Sequence, residues 1–229
     1  MQAQDHDSPF NALPPVVVAL VAVIFGIELM FMLARSGLIG GTRGGDDWRL
    51  MAIQEYAFSS EILNWMIDTH RWPLEHIRRF VTFQFVHGSF THMAMVCVFI
   101  LALGKMVGEV FSQMAVVVVF VLSGIVGALA YGLLIDTRMP LFGGYPGAYG
   151  LIGAFTFILW VGYGRDGQNQ LQAFRLIGML MAIQLVFGLL FGTNKDWVAE
   201  IAGFVTGFVL SGVLRPGGWA IILRSLRER

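Results

Sequence analysis

Residues 145–161 read YPGAYGLIGAFTFILWV and contain no charged side chain. Pro146 suits the first turn of an α-helix, because the N–H that proline lacks has no helical partner there. The apolar part, Gly147–Val161, is shorter than the about 20 residues that a membrane-crossing helix needs. These residues predict a short helix that begins inside a membrane, below a loop that enters from one face. Other protein or a wet cavity must then surround it, because lipid cannot satisfy irregular backbone.

Longer apolar segments flank this one on both sides. They are Ala12–Ala34, Phe80–Ala102, Met114–Ile135, Ala173–Phe191 and Trp197–Leu214. Hydrophobic residues make up 56% of the 229 residues and charged residues 13%, against about 45–50% and about 25% in soluble domains. The sequence therefore predicts an all-α membrane protein. We expect residues 1–229 to form a single domain, a bundle of six transmembrane helices with a short central fourth helix.

The charge balance and the cysteine content exclude several functions. Lys and Arg together number 15, as do Asp and Glu, so no net field favours nucleic acid. Cys97 is the only cysteine, which excludes a disulfide framework and a zinc site made of cysteines. We expect no nucleic-acid partner, no metal and no cofactor.

The polar segments suggest how the chain is placed in the membrane. Residues 1–11 form a polar tail without the basic region of a cleaved signal peptide, so the first span should remain as an anchor. Residues 35–79 mix apolar and polar positions, which favours a long, partly membrane-associated first loop over a seventh span. The tail at 215–229 is basic and favours cytoplasmic termini. A compact chain with no transit peptide or appended domain is typical of a bacterial cytoplasmic (inner) membrane protein.

Small residues predict one helix contact. Helices in a bilayer associate through close packing, and glycines allow their backbones to approach each other. Gly203 and Gly207 lie four apart on the sixth span, and Gly150 and Gly153 give the fourth span a matching small face. We expect these two spans to pack together.

Several polar side chains lie within the spans, where each costs free energy unless it is partnered. They are Gln84, His87, Thr91, His92, Gln184, Glu200 and Thr206. We expect His92 to pair with Glu200, since an acidic residue in a membrane needs a proton, a cation or water beside it. Glu200 lies only three residues into its span, so it could instead reach water at the interface.

At several places the sequence resembles the rhomboid intramembrane serine proteases. On the second span, FVHGSFTH at 85–92 matches the family pattern F-x-H-G-S-x-x-H, and Gly104 with Gly108-Glu109 matches the turn that follows that span. On the fourth span, YGLIGA at 149–154 matches Y-G-L-L-G-A, and on the sixth, AEIAG at 199–203 with Gly207 matches the spacing of A-H-x-x-G-x-x-x-G. Trp48-Arg49 matches the W-R of the family's first loop. These motifs occur in the family's order and on the corresponding spans.

The resemblance implies proteolysis within the membrane. In the family, a serine at the start of the fourth span is activated by a histidine on the sixth, and a histidine and an asparagine on the second span help to hold the oxyanion. Here Tyr145 stands in place of the serine, or Pro146 if the alignment slides by one residue. Glu200 replaces the sixth-span histidine and Val96 the asparagine, so only His92 remains.

We therefore expect a non-catalytic rhomboid-like protein rather than an enzyme. It would bind transmembrane helices of client or partner proteins, with membrane lipids around it, as an adaptor, chaperone or assembly subunit. Tyr145 would fill the vacated site, and a polar core would remain at His87, His92, Tyr145, Tyr149 and Glu200.

Two other functions stay open. One is an active intramembrane peptidase with an atypical site, in which Glu200 acts as a base, His92 as an electrophile and Tyr145 lies beside them. The other is transport or proton conduction through Glu28, His92 and Glu200. The sequence lacks the pair of Gly/Pro-broken spans that is typical of transporters, which argues against the latter.

Overall fold

The computed structural model describes residues 13–39, 45–191 and 195–215, and this part of the chain is helical. Its helices are α1 (Pro15–Arg35), α2 (Gly45–Tyr56), α3 (Ser60–Thr69), α4 (Leu74–Ile77), α5 (Arg79–Thr82), α6 (Phe90–Val110), α7 (Gln113–Leu134), α8 (Tyr145–Arg165), α9 (Arg175–Phe191) and α10 (Trp197–Leu214), with 3-10 turns at Phe83–Phe85 and Gln170–Phe174. Phe58 and Leu141 form an isolated antiparallel bridge. The predicted all-α class is confirmed for the described residues.

Five helices are long and apolar enough to cross a membrane: α1, α6, α7, α8 and α10. The protein is therefore a multi-pass membrane protein. The predicted fifth span, Ala173–Phe191, corresponds to α9, which has 17 residues. Such a helix is about 25 Å long, slightly less than the about 30 Å of a typical hydrocarbon core. The sixth crossing accordingly stays a prediction.

The predicted start of the second span, at Phe80, is wrong. The long helix α6 begins at Phe90, because Ser89 caps its first turn by accepting a hydrogen bond from the His92 N–H at 3.2 Å. Before the cap, the chain forms the short helix α5, a 3-10 turn and extended backbone at Val86. Apolar content alone places this segment in the span, whereas the cap determines where the helix starts.

The fourth span is central, as predicted, but it is not short. Helix α8 runs for 21 residues from Tyr145 to Arg165, with Pro146 in its first turn. It ends at Arg165, where the Asp166 N–H donates to the Gly162 carbonyl and Gly167 follows with φ +67°. Of the five candidate spans, α8 has the largest buried share, so the neighbouring helices enclose most of it.

The predicted contact between the fourth and sixth spans is confirmed. A Cβ added at Gly207 would overlap the carbonyl oxygen of Gly150, and one at Gly153 would overlap that of Phe204. At the other end of the contact, a Cβ on Gly203 would overlap the carbonyl of Pro146. Helices α8 and α10 therefore approach each other at backbone distance.

The first loop is folded, as predicted, and does not form a further span. Its two main helices, α2 and α3, have 12 and 10 residues, too few to cross a bilayer. The Arg79 guanidinium donates to the carbonyls of Gln54 and Ala57, both at 2.9 Å, and so fixes the end of α2. The predicted tail at 1–11 lies outside the described residues, as does 216–229 of the predicted basic tail.

Candidate functional site

The turns that precede α6 and α8 meet around His87. Its side chain is 1% exposed, and its Nε2 accepts a hydrogen bond from the Gly144 N–H at 3.2 Å. Burial, followed by the neighbouring His92, lowers the pKa of His87 to about 3. The imidazole is therefore neutral, as an Nε2 acceptor must be.

Tyr145, the first residue of α8, covers His92. The two rings are stacked, with centroids 5.0 Å apart and planes 18° apart. Phe142 lies against the same histidine at 6.1 Å. Between them in sequence, Gly143 has φ +98°, and a Cβ there would lie 2.5 Å from the His92 Nε2. The turn can therefore close over His92 only with glycine at this position.

Glu200 lies in the first turn of α10 and is 5% exposed. Its carboxylate accepts hydrogen bonds from the Gln184 amide of α9 and from the Tyr149 hydroxyl of α8. The alternative that Glu200 reaches water at the interface is wrong, because these two partners enclose it.

The predicted pairing of His92 with Glu200 is also wrong. Within the described residues, the His92 Nε2 is buried without a hydrogen-bond partner. The physical reason is that His92 and Glu200 each contact a different tyrosine of α8, and these two tyrosines lie one helical turn apart. Tyr145 stacks on His92, and Tyr149 binds Glu200, with the tyrosine rings 6.5 Å apart.

The remaining two positions of the family site lack polar groups. Val96 is fully buried, and its Cγ1 lies 2.9 Å from where a Cβ on Gly144 would be. Pro146 is buried against α7 and α10, near Gly127 and Gly203. Proline has no N–H and the side chain of valine has no donor, so neither side chain can hold an oxyanion.

One feature of the site was missed by the sequence reasoning. Glu28 of α1, 2% exposed, forms a two-point ion pair with Arg49 of α2, at 2.7 and 2.9 Å. The Arg49 guanidinium also donates to the His87 carbonyl at 2.7 Å. An acidic residue in an apolar span signals a polar partner, but the sequence does not reveal that the partner is in the first loop.

Comparison with known proteins identifies relatives. A family model described as the Rhomboid domain matches residues 74–217, which include the motifs at 85–92, 149–154 and 199–203. Trp48-Arg49 lies outside the matched residues. A protein of Arabidopsis thaliana described as RHOMBOID-like protein 4 is 28% identical over 147 residues, covering 62% of this chain and 36% of that protein. The chain thus spans about a third of the length of this relative.

Proposed function

The chain belongs to the rhomboid family, and we propose that it is a non-catalytic member that binds the transmembrane helices of client or partner proteins. It would act as an adaptor, a chaperone or a subunit of a membrane assembly. One observation carries the non-catalytic part of this proposal: the ring of Tyr145 is stacked on His92 where the family has its serine nucleophile. The chain has no serine between Ser123 and Ser211 that could serve instead.

The contacts of the remaining polar groups support the same proposal. A hydroxyl nucleophile needs a base within hydrogen-bond reach. Glu200 is held by Gln184 and Tyr149, whereas His92 faces an aromatic ring. The peptidase alternative needs Glu200, His92 and Tyr145 to act together on one substrate atom, and their hydrogen bonds do not connect them.

Helix binding is proposed at the gap beside α6 and α9. Helix α9 packs mainly against α8 and the turn that precedes it. Its exposed apolar side chains form a stripe at helical spacing, consisting of Met179, Ile183, Val186 and Leu190. Such a stripe can pack against a further apolar helix as well as against lipid. The hydrogen bond between Gln184 and Glu200 ties this helix to α10.

A direct test of the non-catalytic part uses the purified protein in detergent and in lipid vesicles. It is incubated with a fluorophosphonate probe and with a panel of model transmembrane substrates, beside an active rhomboid protease as positive control. We expect neither labelling nor cleavage. Cleavage that is lost in both Glu200→Gln and Tyr145→Phe would establish the peptidase alternative.

Helix binding is tested separately by photo-crosslinking in native membranes. A photoreactive residue replaces Ile183 on the α9 stripe or, as a matched control, Val205, which is exposed on α10. We expect defined crosslinks to membrane proteins from position 183 and a weaker, diffuse pattern from position 205. Equal patterns from the two positions would contradict a binding face at α9.

A further inference from the structure

The ion pair between Glu28 and Arg49 connects the first span to the first loop, across 21 residues of the chain. Glu28 lies in the second half of α1, and Arg49 lies on α2 in the first loop. The Arg49 guanidinium also lies 5.1 Å from the ring centroid of Phe31, one turn further along α1. A buried pair of this kind is held firmly while it is intact, because separating it strands a charge in a poorly solvated place.

The pair extends into a chain of hydrogen bonds that reaches the turn before α8. The Arg49 guanidinium donates to the His87 carbonyl at 2.7 Å. The His87 imidazole in turn accepts from the Gly144 N–H, directly before Tyr145. Arg49 therefore joins α1, α2 and the turn before α6 directly, and His87 extends this connection to the turn before α8.

Helix α1 is the least enclosed of the candidate spans. Of the five candidate spans, its buried share is the smallest, 22%, against 56% for α8. Its first half packs closely on the end of α6, where Val17 meets Gly104 and Pro14 meets Gly108. In its second half, Phe31 and Ala34 are buried, and Glu28 adds a polar anchor through its ion pair with Arg49.

We propose that the pair of Glu28 and Arg49 is a conformational latch. When closed, it holds the second half of α1 and the first loop against the turns that carry His87 and Gly144. When it opens, α1 and α2 move away from α6, while α7, α8 and α10 keep their glycine-mediated packing. The latch thereby couples α1 and the first loop to the turn that covers His92, and it is independent of whether the protein cleaves peptides.

Cys97 provides a native reporter of this opening. It is the only cysteine of the chain and is buried on α6, in the same core cluster as Val17 and Ile24 of α1. Movement of α1 away from α6 therefore uncovers this thiol within the bilayer, where N-ethylmaleimide, a small reagent that partitions into lipid, can reach it. The rate of labelling in the folded protein measures how often the latch opens.

The experiment compares Glu28→Gln with the wild type in lipid nanodiscs. Because the substitution leaves Arg49 without its counter-charge, we expect Cys97 to be labelled at least about tenfold faster. Glu61→Gln is the matched control, since Glu61 pairs with Arg138 at 3.5 Å on the exposed surface, where such pairs contribute little. The control should be labelled at the wild-type rate.

Labelling through global unfolding must be distinguished from labelling through the latch. Global unfolding exposes much more surface and so depends steeply on denaturant, whereas local opening depends on it weakly. We expect a weak dependence in Glu28→Gln. A wild-type rate in that variant, or a dependence as steep as that of unfolding, would overturn the latch. If the single variant does not fold, Arg49→Lys keeps the charge but loses the two-point contact with Glu28 and the bond to the His87 carbonyl, and wild-type labelling of that folded variant would overturn the latch equally.

Discussion

His87 and His92 lie five residues apart in sequence and play different parts in the site. The imidazole of His87 is enclosed and accepts the Gly144 N–H, whereas His92 is only half-buried and stacks on Tyr145. The ring centroids of the two histidines are 5.1 Å apart. Because a proton on His87 would be buried, and would also lie beside His92 and Arg49, the structure favours the neutral form of His87.

The stability of the protein should therefore depend on the protonation of His87. Its folded pKa of about 3 lies below the ordinary value near 6.5, so between these values the unfolded chain binds a proton that the folded chain does not. Stability is then fully present above about pH 6.5 and is lost as the pH falls toward 3, by up to about 1.4 kcal/mol per pH unit. His87→Gln, whose amide oxygen can still accept from Gly144, should flatten the pH dependence of the unfolding midpoint between pH 6 and 4.

A control for this measurement is His70→Asn. His70 is exposed and has φ +52°, a conformation that asparagine tolerates. This variant should keep the wild-type pH dependence of the unfolding midpoint, because carboxylates elsewhere in the protein contribute equally to the stability of the variant and of the wild type. An unchanged slope in His87→Gln would show that His87 does not resist protonation in the folded state.

The two tyrosines of α8 should respond differently to loss of their hydroxyl groups. Tyr149 is buried and its hydroxyl binds the enclosed Glu200. Tyr149→Phe should therefore lower the free energy of unfolding by about 1–3 kcal/mol. Tyr145→Phe keeps the ring that stacks on His92 and should change stability by less than about 0.5 kcal/mol. Denaturation of both variants in mixed micelles measures the difference, and equal losses would contradict the assigned contacts.

At the scale of single residues, the sequence predicts which catalytic groups of the family this protein lacks, but not how the remaining polar side chains pair with one another. The proposed replacement of a nucleophile by Tyr145 and of an oxyanion donor by Val96 rests on residue type at a motif position. The partners of Glu200 are not visible in this way, because Gln184 and Tyr149 lie 16 and 51 residues away and only the tertiary fold brings them together. The same applies to Arg49 and Glu28.

Among the elements, α8 and α10 form the closest contact in the bundle. It depends on glycines whose missing Cβ atoms leave room for carbonyl oxygens of the facing helix. Periodic spacing was enough to predict this contact, since helices in lipid pack through such small faces. The span boundaries are harder to predict, because Ser89 starts the helix α6 inside an apolar segment that extends on both sides of it.

Gly207→Ala should weaken this contact. The added methyl group would overlap the Gly150 carbonyl, and backbone cannot move aside as a side chain can. We expect a loss of about 1–3 kcal/mol in the free energy of unfolding. Gly162→Ala is the matched control on α8, since a Cβ there meets nothing within 4 Å, and it should be neutral or slightly stabilising. Similar losses in both variants would contradict a specific contact at Gly207, because helix propensity alone favours alanine over glycine.

On the scale of the whole molecule, the described helices differ in how tightly they are held. Helices α7, α8 and α10 form a core in which Gly127 faces the Ala199 carbonyl and the Pro146 ring. Helices α1 and α9 lie outside this core, and each has a polar link to the rest, Glu28 to Arg49 and Gln184 to Glu200. The core carries the candidate site, and we expect the two outer helices to be the ones that move without unfolding it.

Whether α9 crosses the membrane decides the side on which the chain ends. With six crossings the two termini lie on the same side, and with five they lie on opposite sides. We expect α9 to cross, because its apolar length of about 25 Å is within a few ångströms of the hydrocarbon core and local thinning of the bilayer costs little. Reporters that distinguish the cytoplasm from the outer side, fused to the N-terminus, to the C-terminus and into the loop between α7 and α8, should place both termini in the cytoplasm and the loop opposite. Termini on opposite sides would mean that α9 stays within one leaflet, and the helix-binding face proposed on its stripe would then be reached from that leaflet alone.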